Sequence, residues 1–312
     1  MLALDLVATW PVGSAAAGVL ARRPLPGSPP GAPQLRPDVW LLGTVGEVDR
    51  TYPWASVTKL CTALAVLVAV EEGTLSLDDP AGPPGSTVAH LLAHASGLAP
   101  DEPVVIDAPG RRRVYSNAGF EVLAETLESQ AAMSFTEYLT EAVFVPLGMW
   151  GARLVPGSSP AWGAEGALAD LLALGTELLS PSIVSPQTMA HATAVAFPGL
   201  DGVLPGYGRQ QPCDWGLGFE IRDRKRPHWT GDHCSPATFG HFGRSGSFLW
   251  VDPVAGIACA ALADREWGPW ASQAWPALAD AVVREAAAPA GGAPGGVAGG
   301  VTAGGTERAP RG

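Results

Sequence analysis

A serine and a lysine three residues apart could supply a nucleophile and its base. Ser56 and Lys59 stand in YPWASVTKLCTA (residues 52–63), at the mouth of the apolar run LCTALAVLVAV. A helix beginning at Ser56 would place Lys59 on the same face, one turn later. Desolvation at the edge of an apolar core lowers the pKa of a lysine, so a neutral amine could accept the serine proton. The backbone N–H of Ser56, at a helix N-terminus, would favour a developing oxyanion.

This spacing alone is a weak signal, because serine is a common helix N-cap and a lysine can extend from a buried helix end to water. A second motif, Tyr115-Ser116-Asn117 in RVYSNAGFEVLAE, precedes a predicted helix. It offers a phenol that could act as a base beside the amine, and an amide that could bind a substrate carbonyl. The same residues are typical of a turn with an Asn cap and a core tyrosine.

A third motif lies in TFGHFGRSGSFLWVDP, where His241 and Gly243 stand at the start of a strand-like run. Glycine there would let a substrate approach the backbone closely, and the histidine could donate a hydrogen bond into the site. A turn with a lone, satisfied histidine is the alternative. The three motifs together therefore carry more weight than any one of them.

Strand-like runs near both ends of the chain, with helical patterns between them, predict the elements that position these motifs. Two strands joined by a Pro/Gly-rich loop are predicted in DLVATWPV and DVWLLGTV, and later strands in WGLGFEIRD, GSFLWVDP and GIACAALAD. Apolar residues three or four apart predict helices in EVLAETLESQ, SFTEYLTEAVF and ALADLLALGTELL, and WPALADAVVREAAA predicts a last helix. This order predicts an α/β domain whose sheet is completed by the C-terminal part.

The predicted domain spans residues 1–286. Residues 1–72 and 208–286 form its α/β part, and residues 73–207 its mainly helical part. Residues 287–312 are rich in Gly, Ala and Pro and cannot bury a core, so we expect this tail to be disordered.

Composition narrows the function classes. A formal charge of −11 argues against nucleic acid as a partner, and the only dense basic run, Arg111 to Arg113, is typical of a solvated patch. No stretch reaches 18 uninterrupted apolar residues, and the N-terminus fits a secretory signal poorly, so we expect no membrane association. The four cysteines lack disulfide-rich spacing, which predicts reduced thiols in a cytoplasmic protein.

In this order and spacing the three motifs resemble the serine β-lactamase and penicillin-binding-protein superfamily, in particular its class C β-lactamase-like serine hydrolases and esterases. LLAHASGL (residues 91–98), SFTEYLTEAVFVPLGM and WGLGFEI resemble further segments of that family, so the resemblance covers roughly residues 40–285. It implies a β-lactamase/transpeptidase-like fold, with an antiparallel sheet made by the N- and C-terminal parts, flanking helices and a mostly helical inserted subdomain. It also implies a small-molecule substrate, no cofactor, and a packing role near the cleft for His94.

The resemblance further implies the catalytic roles. Ser56 would be the acylated nucleophile and Lys59 its activating partner. Tyr115 would be the base that relays the proton and activates the deacylating water, because the chain shows no glutamate motif of the class A type.

The substrate-binding roles follow from the same resemblance. Asn117 would hold the substrate carbonyl or amide, and His241, Gly243 and Arg244 would line the site. The oxyanion hole would consist of the backbone N–H groups of Ser56 and Arg244.

The third motif departs from antibiotic-directed members of the family. His241 stands where they have lysine and Phe242 where they have a hydroxyl residue, and both of those side chains help to bind a substrate carboxylate. We therefore expect a small-ester or amide hydrolase with weak or absent β-lactam hydrolysis, unless Arg244 turns inward to restore the contact. A β-lactamase, or a D-aminopeptidase or carboxypeptidase type of penicillin-binding enzyme, is the alternative.

Two hypotheses from other functional classes remain open. One is a non-catalytic relative that binds a ligand or partner in the cleft, which four intact motif residues disfavour. The other is a zinc site, although its spacings match no familiar pattern. The residues available for such a site are Cys213, His228, His233, Cys234 and His241.

Overall fold

The computed structural model describes residues 1–22 and 32–287. Its strands are β1 (Ala15–Ala21), β2 (Gln34–Arg36), β3 (Val39–Gly46), β4 (Tyr52–Pro53), β5 (Arg153–Leu154), β6 (Ala164–Gly166), β7 (Gly202–Leu204), β8 (Gly208–Gln210), β9 (Glu220–Ile221), β10 (Phe239–Gly243), β11 (Ser247–Asp252) and β12 (Ile257–Ala263). Its α-helices are α1 (Thr58–Glu72), α2 (Val88–Leu92), α3 (Asn117–Ala131), α4 (Phe135–Leu139), α5 (Leu168–Leu179), α6 (Pro186–Ala192) and α7 (Pro269–Ala287). Short 3-10 helices cover Leu2–Thr9 and Ala55–Val57, and a π-helical turn, Thr140–Phe144, follows α4.

A seven-stranded sheet in the order β2-β3-β1-β12-β11-β10-β9 is the centre of the fold. All of its neighbouring strands are antiparallel. Strand β1 pairs with β12 along its whole length, from Ala15 opposite Ala263 to Ala21 opposite Ile257. The first and last strands of the described residues therefore meet in the middle of the sheet, which confirms the predicted architecture.

Side chains from both faces of this sheet are buried. Along β12, Ile257 and Cys259 belong to one hydrophobic cluster, whereas Ala258 and Ala260 belong to the other. Because successive strand residues point to opposite faces, a strand covered on both sides is apolar throughout. Helix α5 packs on one face, and α7 with the N-terminal 3-10 helix packs on the other. Helix α5 lies within residues 73–207 but contacts the sheet.

Two predicted strands have a different structure. DLVATWPV lies largely in the 3-10 helix Leu2–Thr9, because Ala3, Leu4 and Val7 are spaced to share one helical face and all three are buried. The N–H groups of Leu2 and Ala3 donate to the carboxylate of Glu285 in α7 and fix this helix in place. In WGLGFEIRD only the two residues of β9 form a strand of the sheet, and Trp215 forms an isolated bridge with Glu220.

The helices follow the predictions more closely. Helices α3 and α5 cover EVLAETLESQ and ALADLLALGTELL. Helix α1 is buried on all sides from Thr58 to Ala69, as its uniformly apolar sequence predicts, and it ends at Gly73 with a left-handed φ of 77°. Of the helices in the described ranges, none combines the length and apolar character needed to cross a bilayer. The predicted tail lies outside the described residues except for Ala287, which ends α7.

Candidate active site

Ser56 and Lys59 lie at the junction between a 3-10 turn and α1. Ser56 is the middle residue of the turn Ala55–Val57, so α1 begins two residues later than a helix starting at Ser56 would. Ala55, directly before the serine, has a left-handed φ of 45°. Lys59 is completely buried, and its Nζ lies 3.5 Å from Oγ of the partly exposed Ser56. The predicted serine and lysine are therefore close together, with the serine open to the cleft.

Neutral acceptors surround the Lys59 amine. Nζ donates to Oδ1 of Asn117 at 2.6 Å and to the carbonyl oxygen of Ala161 at 2.9 Å. A neutral lysine amine has two hydrogens and one lone pair. The two acceptors account for both hydrogens, which leaves the lone pair available to the Ser56 hydroxyl.

Burial decides the charge of this amine. Desolvation lowers the pKa of Lys59 from 10.5 to about 7, although the carboxylates of Asp101 and Glu121 oppose part of that shift. Desolvation disfavours a buried ammonium because water no longer solvates its charge. A substantial fraction of Lys59 is therefore neutral at physiological pH and able to accept a proton.

Tyr115 completes the contacts of the nucleophile. Its hydroxyl donates to Ser56 Oγ at 2.8 Å, and its ring lies 4.7 Å from Lys59 Nζ. Burial raises the pKa of Tyr115 above its ordinary value. The phenol is thus protonated at neutral pH and donates to Oγ, while the hydrogen of Ser56 remains free to move to Lys59.

Asn117 is held between Lys59 and an acidic side chain. Ser116 caps α3 by accepting the N–H of Gly119 at 2.9 Å, which places Asn117 as the first residue of the helix. The Asn117 amide donates from Nδ2 to Oδ1 of Asp101 at 2.7 Å. No local sequence pattern links Asp101 to Asn117, because the two residues are 16 positions apart.

The third motif ends β10, whereas the sequence suggested the start of the following strand. A Cβ at Gly243 would overlap the carbonyl oxygen of Trp54, so only glycine allows β10 to come this close to the nucleophile turn. Ser247 Oγ in β11 donates to the same carbonyl at 2.7 Å. The backbone that leads into Arg244 is therefore held beside the turn that contains Ser56.

His241 presents a different hydrogen-bonding group from the predicted donor. Its Nδ1 lies 2.7 Å from the carbonyl oxygen of Phe242, which can only accept, so Nδ1 carries the hydrogen. Burial, assisted by the charge of Lys59, lowers the pKa of His241 to about 3, so the ring is neutral and Nε2 keeps its lone pair. This buried Nε2 has no hydrogen-bond partner among the described residues. The imidazole therefore carries no positive charge that could bind a substrate carboxylate.

The next two side chains of this motif point away from the Ser56 hydroxyl. The ring of Phe242 packs against Tyr207 and Trp267. The side chain of Arg244 is 82% exposed, and its Nε lies 3.3 Å from Glu266. This orientation differs from the inward turn that would restore a carboxylate contact.

Aromatic rings form the wall behind Tyr115. His94 is buried, its Nδ1 accepts the backbone N–H of Ser116 at 3.1 Å, and its ring lies 4.6 Å from that of Tyr115. Trp215 lies against His94 at 4.7 Å and against His241 at 5.5 Å. The packing role expected for His94 near the cleft is confirmed.

Arg113 binds the two segments that contain His94 and Trp215. Only 3% of it is exposed, so the prediction of a solvated basic patch is wrong for this residue. Its guanidinium donates to the carbonyl oxygens of Ala93 (2.6 Å), Cys213 (3.0 Å) and Phe197 (3.0 Å). Ala93 directly precedes His94, and Cys213 lies two residues before Trp215. A basic run in the sequence gives no signal for such a role.

The residues of the zinc alternative have other partners. His228 Nε2 lies 2.9 Å from Glu220, and its Nδ1 lies 2.8 Å from Thr230. His233 Nδ1 lies 3.2 Å from Asp280. Within residues 1–22 and 32–287, no three His, Cys, Asp or Glu side chains are grouped as metal ligands. All four cysteines are buried free thiols, as predicted.

The chain is similar to several known proteins. A family model described as Beta-lactamase matches residues 44–283. A β-lactamase structure from Mycobacterium bovis is 51% identical with a TM-score of 0.83, and the alignment covers 91% of this chain and 99% of that one.

Two curated relatives are more distant. Penicillin-binding protein 4 of Amycolatopsis lactamdurans is 26% identical over 291 residues, covering 70% of this chain and 74% of that protein. The D-alanyl-D-alanine-carboxypeptidase/endopeptidase AmpH of Escherichia coli is 27% identical over 147 residues, covering 35% of this chain and 38% of that protein. The alignment thus spans little more than a third of the length of the AmpH protein.

Proposed function

Because the chain belongs to the β-lactamase family of serine hydrolases, we propose that it cleaves a small ester or amide through an acyl-enzyme on Ser56. One observation carries this proposal. Ser56 Oγ lies 2.8 Å from the Tyr115 hydroxyl and 3.5 Å from the amine of Lys59, whose pKa is about 7. A serine between a neutral amine and a phenol donor has the surroundings of an activated nucleophile.

Acylation begins with proton transfer from the Ser56 hydroxyl to the Lys59 amine as Oγ forms a bond to the substrate carbonyl carbon. When the bond to the leaving group breaks, the Tyr115 phenol donates its proton to that group. The Lys59 ammonium then returns a proton to Tyr115, because the phenolate is the stronger base. The net result is that Ser56 has lost one proton and the leaving group has gained one, while Lys59 and Tyr115 return to their starting protonation states.

Deacylation reverses the direction of the relay. A water attacks the acyl carbonyl, passes a proton to the Tyr115 oxygen, and Tyr115 passes its own proton to Lys59. The ester bond to Ser56 breaks, and Oγ regains the proton from Lys59. Tyr115 therefore relays the proton while Lys59 is the base that holds it.

Two backbone N–H groups are suited to stabilise the tetrahedral intermediate. Ser56 lies in the first turn of a helix, where N–H groups lack intrahelical acceptors. Gly243 and Ser247 hold the segment leading to Arg244 against Trp54, beside this turn. The N–H groups of Ser56 and Arg244 would together form the oxyanion hole, with Asn117 binding the substrate carbonyl or amide.

The third motif favours substrates without a carboxylate. His241 is uncharged, Phe242 packs among aromatic rings and Arg244 pairs with Glu266. A carboxylate bound here would lose its hydration without gaining a cation. This supports ester or amide substrates over penicillins and cephalosporins.

A second candidate is β-lactam or D-alanyl peptide cleavage. It is favoured by the 51% identity to a structure described as a β-lactamase and by relatives named D-alanyl-D-alanine carboxypeptidase and penicillin-binding protein. Both candidates use Ser56, so the acyl donor distinguishes them. A cytoplasmic location remains part of the proposal and rests on the sequence alone.

Intact-mass measurement of wild-type protein and Ser56→Ala, after incubation with a fluorophosphonate, a penicillin or a p-nitrophenyl acetate, tests the proposal. We expect a fluorophosphonate adduct and acetate turnover in the wild type, and neither in the variant. A stable penicillin adduct or faster penicillin turnover would favour the second candidate. Absence of every adduct and of all turnover would indicate a non-catalytic relative.

A further inference from the structure

An apolar groove leads away from the nucleophile. Its volume is about 490 Å³, and it opens beside Tyr115 and Asn117, which contact Ser56 and Lys59. The groove therefore continues from the position of the reacting carbonyl. Its lining includes Ile106, Val114, Tyr115, Asn117, Val203 and Pro205.

Aliphatic side chains are exposed along both edges of this groove. One edge is the loop that follows Asp101, and the other is the hairpin formed by β7 and β8. Exposed apolar side chains that cluster around a cleft mark a binding surface, whereas isolated ones are ordinary. Among the lining residues, Ile106 on the loop is 46% exposed and Val203 on the hairpin is 57% exposed; Val104 and Val105, which precede Ile106 in the chain, are 51% and 54% exposed.

Both edges are anchored, so the groove exists before any substrate binds. The backbone N–H of Asn117 donates to the carbonyl oxygen of Pro100 at 2.6 Å, which fixes the loop. Arg113 N–H donates to the carbonyl oxygen of Asp201 at 2.7 Å at the base of the hairpin. A preformed apolar groove binds an apolar chain without the entropic cost of ordering the protein segments that line it.

The arginines of the groove have partners, and a carboxylate lies at its nucleophile end. The guanidinium of Arg113 is occupied by backbone carbonyls, and Arg112 Nε pairs with Asp107 at 2.8 Å. The carboxylate of Asp101 lies in the groove lining next to Asn117. A negatively charged substrate chain would therefore meet a like charge close to the reacting carbonyl.

We propose that this groove binds an uncharged aliphatic chain on the acyl side of the substrate. Val203 and Ile106 determine which chain lengths are preferred, and Asp101 discriminates against chains that end in a carboxylate. The inference rests on the proposed function, since it names the substrate class of the same site.

A series of p-nitrophenyl esters from acetate to octanoate tests the length preference. We expect kcat/KM to rise about fourfold for each added methylene that enters the groove, until the groove is filled. Val203→Ser should lower the octanoate-to-acetate ratio of kcat/KM about fivefold. Val254→Ser is the matched control, since Val254 is 76% exposed in the turn between β11 and β12, and it should leave the ratio unchanged.

A second pair of substrates tests the charge preference. A p-nitrophenyl ester of a six-carbon acid should react faster than the ester of equal length that ends in a carboxylate. Asp101→Asn should reduce the ratio of kcat/KM between the uncharged ester and the carboxylate ester, because it removes the like charge. An equal difference in the wild type and the variant would overturn the role of Asp101.

Other outcomes separate the two proposals. If acetate turnover depends on Ser56 but kcat/KM does not change with acyl length, the groove proposal is wrong and the proposed function stands. The groove proposal is also wrong, and the proposed function stands, if kcat/KM rises with chain length only for acetates of longer alcohols. The groove would then bind the leaving group. If no ester turnover depends on Ser56, the proposed function fails and the groove proposal fails with it.

Discussion

Two lysines of this protein are buried to the same degree but have opposite surroundings. Lys59 donates to an amide oxygen and a backbone carbonyl, and carboxylates act on it only from a distance. Lys225, which is 3% exposed, forms an ion pair with the carboxylate of Glu220. Burial would raise the pKa of Glu220, but His228 and Lys225 hold it well below its usual range.

The comparison shows that the partner, more than the burial, decides what a buried lysine does. An ion pair keeps both groups charged and makes each one necessary for the other. Neutral acceptors give the ammonium no compensating charge, so the pKa of Lys59 falls to about 7. The ion pair lets both charges stay buried beneath Trp215, whereas the neutral acceptors leave Lys59 able to act as a base.

Substitution of the two lysines should separate activity from stability. Lys59→Met should lower kcat/KM for p-nitrophenyl acetate about 10³-fold, because the base is lost while a side chain of similar length fills its space. Its free energy of unfolding should change far less than that of Lys225→Met. Kinetics on the folded variant, checked by circular dichroism, measure the effect. Retention of more than a tenth of wild-type activity would remove Lys59 from the role of base.

Lys225→Met should lower the free energy of unfolding by about 3–5 kcal/mol, because the carboxylate of Glu220 would remain buried without its cation. Urea denaturation measures the loss. The double variant Glu220→Met with Lys225→Met should recover much of that stability, since it removes both charges. Equal stability of Lys225→Met and wild type would mean that the ion pair contributes nothing.

The pH dependence tests the lowered pKa of Lys59. The neutral amine is the active form, so kcat/KM should rise about tenfold per pH unit below pH 7 and level off above a midpoint of about 7. Initial rates from pH 5 to 9, corrected for spontaneous ester hydrolysis, give the profile. A rise that continues to pH 10 would show that Lys59 keeps the pKa of an exposed lysine.

The smallest expected effect concerns the two carboxylates that oppose this shift. Asp101→Asn should lower the pKa of Lys59 further, because a negative charge near the ammonium favours the charged form. The acid limb of the kcat/KM profile should move to lower pH by less than about one unit. Glu121→Gln should act in the same direction. A move to higher pH in either variant would contradict the assignment of the acid limb to Lys59.

Much of the fold followed from local patterns. The strands β3, β11 and β12 and the helix α1 lie where apolar runs predicted them, and the helices α3 and α5 lie where helical spacing predicted them. The N-terminal 3-10 helix was missed because a short apolar run fits a strand and a helix equally well, and its partner, α7, is at the other end of the chain. The sequence also did not show that Gly243 ends β10, because this depends on the turn between β10 and β11.

The sequence by itself determined that Ser56 and Lys59 meet, because three residues of helix bring two side chains to one face whatever surrounds them. It also determined the positions of several helices and strands and the resemblance that led to Tyr115 and Asn117. Only the tertiary structure decided the chemistry of the lysine. Its acceptors, Asn117 and Ala161, are 58 and 102 residues away, and the folded chain alone places neutral oxygens there instead of a carboxylate. The pKa of a buried group depends on which distant groups face it, and a local pattern does not contain that information.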